Sequence, residues 1–333
     1  MCSNCGVNIN SAKSDEFADR MMTILNHGAL NLMISIGHRT GLYDVMSELE
    51  PSTSQQIADA SGLNERYVRE WLGAVATGGI VEYNHENGTY YLPPEHAEWL
   101  TRKSAPNNIA VTTQWLSVLA GVESKIVDCF SRGGGVPYEE FERFHDVMSE
   151  ESRQTVIVPL LDQLLPLVPG LTEKLKTGIE VLDVGCGSGY AMLHMAKEFP
   201  NSNFTGYDFS VEAVTRGMDI ANKDGILNLS LVQKDAAEID DIESYDLITT
   251  FDAVHDQADP DRVLKNIYNA LKDDGTYFMQ DIAGSSHVHN NMEHPIAPFI
   301  YTISCMHCMT VSLSQNGKGL GAMWGKELAL EML

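Results

Sequence analysis

The chain has 333 residues, a length that suggests about two domains. Its 46 Asp and Glu residues outnumber 22 Lys and Arg residues, and the formal net charge of -24 argues against a nucleic-acid partner, because binding to phosphates requires clustered positive charge. No basic and apolar leader opens the chain, no stretch is apolar enough to cross a membrane, and six cysteines in this length make no disulfide framework, so we expect a cytoplasmic protein.

Residues 1–16 are polar and are predicted to form a disordered tail, in which Cys2 and Cys5 offer only a weak candidate metal pair. From Phe17 to Ile36 apolar residues recur at helical spacing. The apolar face of this helix exceeds what one small domain buries. It therefore predicts that the helix pairs with its copy in a homodimer.

A helix, a turn, a second helix and a hairpin are predicted next. Thr53-Ser54-Gln55-Gln56 is a capping-box pattern that opens the first short helix, and Asn64 caps the second, which ends near Gly78. Asn87-Gly88 lies between two β-rich stretches and favours a tight type I′ hairpin. This order of elements predicts a winged-helix domain over residues 17–96.

The charges of this predicted domain do not favour DNA recognition. The second helix carries Arg66 and Arg69, but Glu65 and Glu70 offset them, and the predicted wing contains no Lys or Arg. A recognition helix needs donors that reach bases and flanking groups that contact phosphates. We therefore expect the domain to serve dimerisation or to act as a lid over a substrate.

Residues 97–171 look largely helical and predict a helical linker, with Gly133-Gly134-Gly135 as a flexible joint. Beyond this linker short apolar strands alternate with helices, and strands are predicted at 179–184, 203–207, 229–233, 246–251 and 276–280. Such alternation requires parallel strands with right-handed crossovers. The sequence predicts a doubly wound, Rossmann-like α/β domain over 172–333, preceded by the mainly helical winged-helix domain.

A glycine-rich turn follows the first of these strands, within the sequence Glu180 to Gly189 (EVLDVGCGSG). Such a turn lets a ligand approach the backbone, and the dinucleotide fingerprint would also need glycine at the next position, which is Tyr190. Asp183 suits an ammonium group or water and would repel a pyrophosphate. Asp208 ends the second strand, where it can accept hydrogen bonds from ribose hydroxyls, and Asp235 ends the third, where it can contact an adenine amino group.

Together these segments resemble the motifs of class I S-adenosylmethionine-dependent methyltransferases, over residues 172–283. The resemblance implies S-adenosylmethionine as the cofactor, with the three glycines beside its methionine part, Asp208 at the ribose and Asp235 at the adenine. The candidate cofactor-binding residues are Asp183, Gly185, Gly187, Gly189, Asp208, Phe209, Asp235, Ala236 and Phe251.

The candidate catalytic residue is His255, in the sequence Ala253 to Pro260 after the fourth predicted strand. A hydroxyl acceptor becomes acidic as its oxygen attacks a methyl group, and the pKa of histidine suits the removal of that proton. The segment resembles the His-Asp-x-x-Asp motif of winged-helix O-methyltransferases, which implies that His255 is the general base. Gln257 departs from the Trp usual in those enzymes. The alternative is that His255 only caps or orients the next helix.

The resemblance therefore predicts methyl transfer to a small-molecule acceptor, at oxygen and with a histidine base. The whole chain also resembles an uncharacterised group of winged-helix methyltransferases, some labelled transcriptional regulators. Two alternatives remain open at this point. One is a non-catalytic regulator that binds adenosylmethionine, and the other is a methyltransferase that acts on a thiol or on arsenite.

A long segment between Gly284 and Gly325 is predicted to be a lid or a binding element. It holds six possible metal ligands, which are His287, His289, His294, Cys305, His307 and Cys308. Their spacing is not that of a standard metal site, so a metal site is a minor alternative. A last helix is predicted from Lys326 to Leu333. Class I methyltransferases usually continue into two further strands, and these C-terminal strands are expected to be missing.

Overall fold

The computed structural model describes residues 9–333, so Cys2 and Cys5 lie outside the described residues. The chain forms two compact units, one ending at Ser117 and the other running from Val118 to Leu333. The predicted linker 97–171 is divided between them. Leu100 and Ala110 pack into the core of the first unit, whereas Val156, Leu160 and Leu165 pack into the core of the second.

The first unit is mainly helical and contains one small antiparallel hairpin. Its elements are α1 (Ser11–Thr40), α2 (Leu42–Met46), α3 (Ser54–Ser61), α4 (Glu65–Thr77), β1 (Glu82–Asn84), β2 (Thr89–Tyr91) and α5 (Pro94–Leu100). The helix–turn–helix and hairpin confirm the predicted winged helix. Thr53 and Gln56 form the expected capping box at the start of α3, and the Asn64 side chain caps α4.

Two local predictions for this unit are wrong. Residues 11–16 are not disordered, because the Asn10 side chain accepts a hydrogen bond from the Lys13 amide and extends α1 toward the N-terminus. The hairpin is not a two-residue type I′ turn, since Asn84 pairs with Thr89 and leaves four residues in the loop. Of those four residues Gly88 alone has positive φ, whereas a type I′ turn needs two.

The second unit is built on a parallel sheet with the strand order β5-β4-β3-β6-β7. Its strands are β3 (Glu180–Val184), β4 (Asn203–Asp208), β5 (Leu229–Gln233), β6 (Tyr245–Phe251) and β7 (Leu271–Gln280). This order places the carboxyl ends of β3 and β6 side by side and confirms the predicted doubly wound, Rossmann-like domain. The crevice beyond those ends is the usual ligand site of such a sheet.

The remaining helices of the chain are, in order, α6 (Trp115–Ala120), α7 (Glu123–Arg132), α8 (Phe144–Ser152), α9 (Leu171–Thr177), α10 (Tyr190–Glu198), α11 (Val211–Lys223), α12 (Pro260–Ala270), α13 (Ala297–Ile303), α14 (Met309–Ser314) and α15 (Gly325–Met332). Of these, α10 and α11 pack on one face of the sheet, and α12 packs on the other. Side-chain caps predicted at Ser210 and Asp259 begin α11 and α12. In the described part of the chain no single helix could cross a membrane by length and composition, although the bent pair 144–167 and 171–177 passes both criteria together.

The predicted flexible joint at residues 133–135 is fixed at its third glycine. A Cβ at Gly135 would lie 1.9 Å from the Thr310 carbonyl oxygen, and the next amide, of Val136, donates to the Thr310 hydroxyl at 2.8 Å. The chain at Gly135 and Val136 is therefore packed against α14, which contains Thr310.

Candidate active site

The glycine turn after β3 places three residues in the left-handed region, where glycine carries no steric penalty. Gly185, Gly187 and Gly189 have φ values of 75°, 55° and 65°. A Cβ at Gly185 would meet the Cβ of Ala253 at 2.7 Å, and one at Gly189 would meet Leu231 at the same distance. A Cβ at Gly187 would meet nothing within 4 Å. Two glycines thus serve packing, and Gly187 presents the open side of the turn to a ligand.

Asp208 lies at the end of β4 and holds the glycine turn. One carboxylate oxygen accepts a hydrogen bond from the Gly187 amide at 2.8 Å, and the other accepts from the Ser210 amide at 2.9 Å. Burial raises the pKa of Asp208, while these two hydrogen bonds oppose the rise. The carboxylate predicted at the ribose therefore lies directly beside the open glycine.

Asp183 is buried beneath the turn, with 3% of its surface exposed. The Thr249 hydroxyl on β6 donates to it at 2.7 Å. Burial, opposed by this hydrogen bond and assisted by Asp208, raises the pKa of Asp183 to about 7. Its position links β3 to β6 below the predicted methionine site.

The remaining predicted cofactor residues line the carboxyl edge of the sheet. Asp235 follows β5, is exposed, and accepts a hydrogen bond from the Ala237 amide at 2.8 Å, which fixes the turn that contains buried Ala236. Phe209 is 53% exposed next to Asp208, and Phe251 ends β6.

His255 lies in the loop after β6 and is 3% exposed. Its Nδ1 is 2.7 Å from an oxygen of Asp281, the first residue after β7, and its ring hydrogen-bonds Cys308. Burial lowers the pKa of His255, but the interactions with Cys308 and Asp281 outweigh it and raise that pKa well above its ordinary value. Asp259, rather than His255, caps α12, so the alternative role as a helix cap is not supported.

The loop that carries His255 is tied to both neighbouring segments. The Gln257 side chain donates to the Ala253 carbonyl at 2.8 Å, so the residue that departs from the motif closes this turn. The Gly321 amide donates to the His255 carbonyl at 3.1 Å, and the Ser312 hydroxyl donates to the Gln257 carbonyl at 2.8 Å. Because Ala253 contacts Gly185, the same loop places His255 beside the glycine turn.

Sequence analysis missed Tyr138 and Asp281, and it named Cys308 only as a possible metal ligand and not as a partner of His255. Tyr138 donates to Asp256 and its ring lies 5.5 Å from that of Phe209. Asp281 could have been found, since an acid directly after a buried strand lies at the ligand edge of a parallel sheet. Tyr138 is 118 residues from its partner, and no local pattern indicates it.

The segment after Gly284 is folded rather than an open loop. Helices α13 and α14 are joined by a π-helical turn at Ser304–Cys308, a distortion common at functional sites. The ring of His307 stacks on Phe144 at 4.3 Å, and burial with the nearby His255 and His145 lowers the pKa of His307 to about 3. In residues 9–333 no three His, Cys, Asp or Glu side chains are grouped to hold a metal ion.

Comparisons with known proteins agree with this architecture. Residues 28–102 match the family of Rv2258c-like winged HTH domains, and residues 175–327 match a methyltransferase domain. The chain therefore carries a methyltransferase domain, preceded in sequence by a winged-helix domain. One similar solved structure is mitomycin 7-O-methyltransferase, with a TM-score of 0.66 and 16% identity, and the match covers 96% of this chain and 91% of that one. Another is human N-acetylserotonin methyltransferase in complex with S-adenosylmethionine, with a TM-score of 0.63 and 14% identity, and the match covers 92% of this chain and 88% of that one.

Sequence relatives are similar over about a third of the chain. An N-methyltransferase of Papaver somniferum is 29% identical over 106 residues, which are 31% of this chain and 30% of that one. The release factor glutamine methyltransferase of Streptococcus pneumoniae is 36% identical over 101 residues, 30% of this chain and 34% of that one. The chain thus matches about a third of the length of these curated relatives.

Proposed function

We propose that the protein transfers a methyl group from S-adenosylmethionine to a hydroxyl oxygen of a small-molecule acceptor, with His255 as the general base. The observation that carries this proposal is the buried pair of His255 and Asp281, held beside the glycine turn through Ala253. The cofactor would be held by the glycine turn, by Asp208 and by the other predicted residues at the carboxyl edge of the sheet.

S-adenosylmethionine supplies an activated methyl group, so the protein has to align it with the acceptor and remove a proton. Asp281 binds Nδ1 of His255, which orients the ring. The acceptor hydroxyl would take the place of Cys308 at the other ring nitrogen, Nε2, and give its proton to that atom. Because the pKa of His255 is raised, the neutral ring forms only above its ordinary titration range. We therefore expect the methylation rate to rise with pH at higher pH than an ordinary histidine would give.

The winged helix and α1 are proposed to serve dimerisation rather than DNA recognition. On α4, Arg66 pairs with Glu70 and Arg69 pairs with Glu65, each at 2.5 Å, so the basic groups are neutralised within the helix. Large apolar side chains along α1 are exposed, among them Phe17 at 61% and Leu25 at 64%. A second copy of the chain would cover this face.

The base role is tested by comparing His255→Ala with His287→Ala, which changes an exposed histidine outside the pair. S-adenosylhomocysteine release is measured with a panel of phenols and catechols. His255→Ala should bind the cofactor like the wild type and lower the rate by about 10²–10⁴, the usual contribution of a general base. His287→Ala should retain the rate. If His255→Ala lowers the rate by less than about threefold, the loss is far smaller than a general base contributes. That result would contradict the base role and favour alignment of the acceptor alone.

A further inference from the structure

More carboxylates than basic groups lie on and around the loop that carries His255. Asp252 and Asp256 lie on this loop, and Asp281 lies across from it with 8% of its side chain exposed. Among the charged groups that act most strongly on Asp252, Asp281, Asp256 and Glu151 are acidic and His255 is basic. The site therefore carries surplus negative charge.

The ionisation of these acids reflects that surplus. Burial and the repulsion from Asp281, Asp256 and Glu151 outweigh His255 and raise the pKa of Asp252 to about 6. Burial and Asp281 likewise raise the pKa of Asp256, against the opposing effects of His255 and Tyr138. A positive charge placed among these carboxylates would relieve this repulsion.

One buried oxygen of this cluster lacks a hydrogen-bond donor. Asp281 Oδ1 binds His255 and accepts from the Ile282 amide at 2.7 Å. Asp281 Oδ2 is buried and accepts no hydrogen bond from any of residues 9–333. Buried carboxylate oxygens nearly always have partners, so this atom points to a donor that a ligand brings.

Aromatic rings lie against the same carboxylates. Tyr138 donates its hydroxyl to Asp256, and its ring lies 5.4 Å from Phe144, 5.5 Å from Phe209 and 5.3 Å from His307. Aromatic faces attract organic cations and stack against flat rings. A ring beside a buried carboxylate therefore favours an organic cation as the counter-charge.

We propose that Asp252, Asp256 and Asp281 form a subsite for a protonated amino group, so that the methyl acceptor is a phenol with an aminoalkyl side chain, whose ring packs against Tyr138. This inference rests on the proposed function in taking the ligand to be the methyl acceptor. The amino group donates to Asp281 Oδ2, and the acceptor hydroxyl is then directed to His255.

The test is a calorimetric titration of the full chain, with and without S-adenosylhomocysteine, against three phenols whose short para side chains differ in charge. Tyramine is cationic, 4-ethylphenol is neutral and 4-hydroxyphenylacetate is anionic. Tyramine should bind at least about tenfold more tightly than 4-ethylphenol, the effect of one favourable charged contact. The anion should not bind. These titrations need no turnover, so they decide the subsite independently of whether His255 is a base.

Asp252→Asn and the exposed Asp273→Asn remove the same charge inside and outside the subsite. Asp252→Asn should abolish the preference for tyramine, whereas Asp273→Asn should retain it, and unchanged S-adenosylhomocysteine affinity verifies that both variants are folded. Equal binding of the three phenols, tighter binding of the anion, or no tyramine binding at millimolar concentration would overturn the proposal. If Asp252→Asn fails to fold, the wild-type series alone decides.

Discussion

Gly187 offers a way to separate a glycine required by the ligand from one required by the fold. Its φ of 55° disfavours any other residue, yet a Cβ there would meet no protein atom within 4 Å. Gly187→Ala should therefore cost only the left-handed conformation, about 1–2 kcal/mol. For a unit of this size that cost lowers the Tm by about 2–8 °C. The new methyl group would, however, project into the space where we expect the methionine part of the cofactor.

The overlap should weaken cofactor binding by about 5–150-fold, from the usual 1–3 kcal/mol for inserting a methyl group into a filled site. Gly225→Ala is the matched control, because Gly225 has a φ of 69° and equally open space but follows α11. Calorimetry with S-adenosylmethionine and thermal unfolding are measured on both variants. Equal Tm losses with weaker binding only in Gly187→Ala support the account. Equal affinities in the two variants would refute the placement of the cofactor.

Three further predictions concern ionisation and assembly. Asp281→Asn removes one of the two partners that raise the pKa of His255, so the rising limb of the pH–rate profile should move to lower pH, and an unmoved limb would count against the pair. Asp183 has a pKa of about 7 in the folded chain and about 4 in the unfolded chain, so the folded chain binds this proton more tightly. Urea unfolding should therefore show that the free energy of unfolding falls as the pH rises from about 4 to about 7. Asp183→Asn should abolish this fall. Leu25→Asp should turn a dimer into monomers in light scattering, and a monomeric wild type at micromolar concentration would refute the interface.

Local patterns predicted much of the fold, since the determinants of its elements are close in sequence. Ser210 and Asp259 begin helices where a cap side chain meets an amide three residues on, and an inference from neighbouring residues can find such contacts. The alternating apolar strands likewise specify a parallel sheet. The hairpin was mispredicted because Asn87-Gly88 favours a two-residue turn locally, whereas the pairing of Asn84 with Thr89 determines a longer loop.

The candidate site could be predicted only in part, because several of its residues are far apart in sequence. The glycine turn, Asp208 and His255 belong to contiguous motifs at strand ends. Tyr138 and Cys308 reach the site from segments far away in sequence, and their roles depend on the tertiary packing of helices against the sheet edge. The segment after Gly284 has the composition of a lid, but its π-helical turn brings Cys308 to His255, a contact that depends on tertiary packing.

Cofactor binding to the purified chain tests the central claim most directly. Calorimetry should show micromolar binding of S-adenosylmethionine and none of NADH. Asp208→Ala should weaken the binding by about 1.5–3 kcal/mol, the loss of charge-assisted hydrogen bonds. Binding of NADH without binding of S-adenosylmethionine would contradict the account.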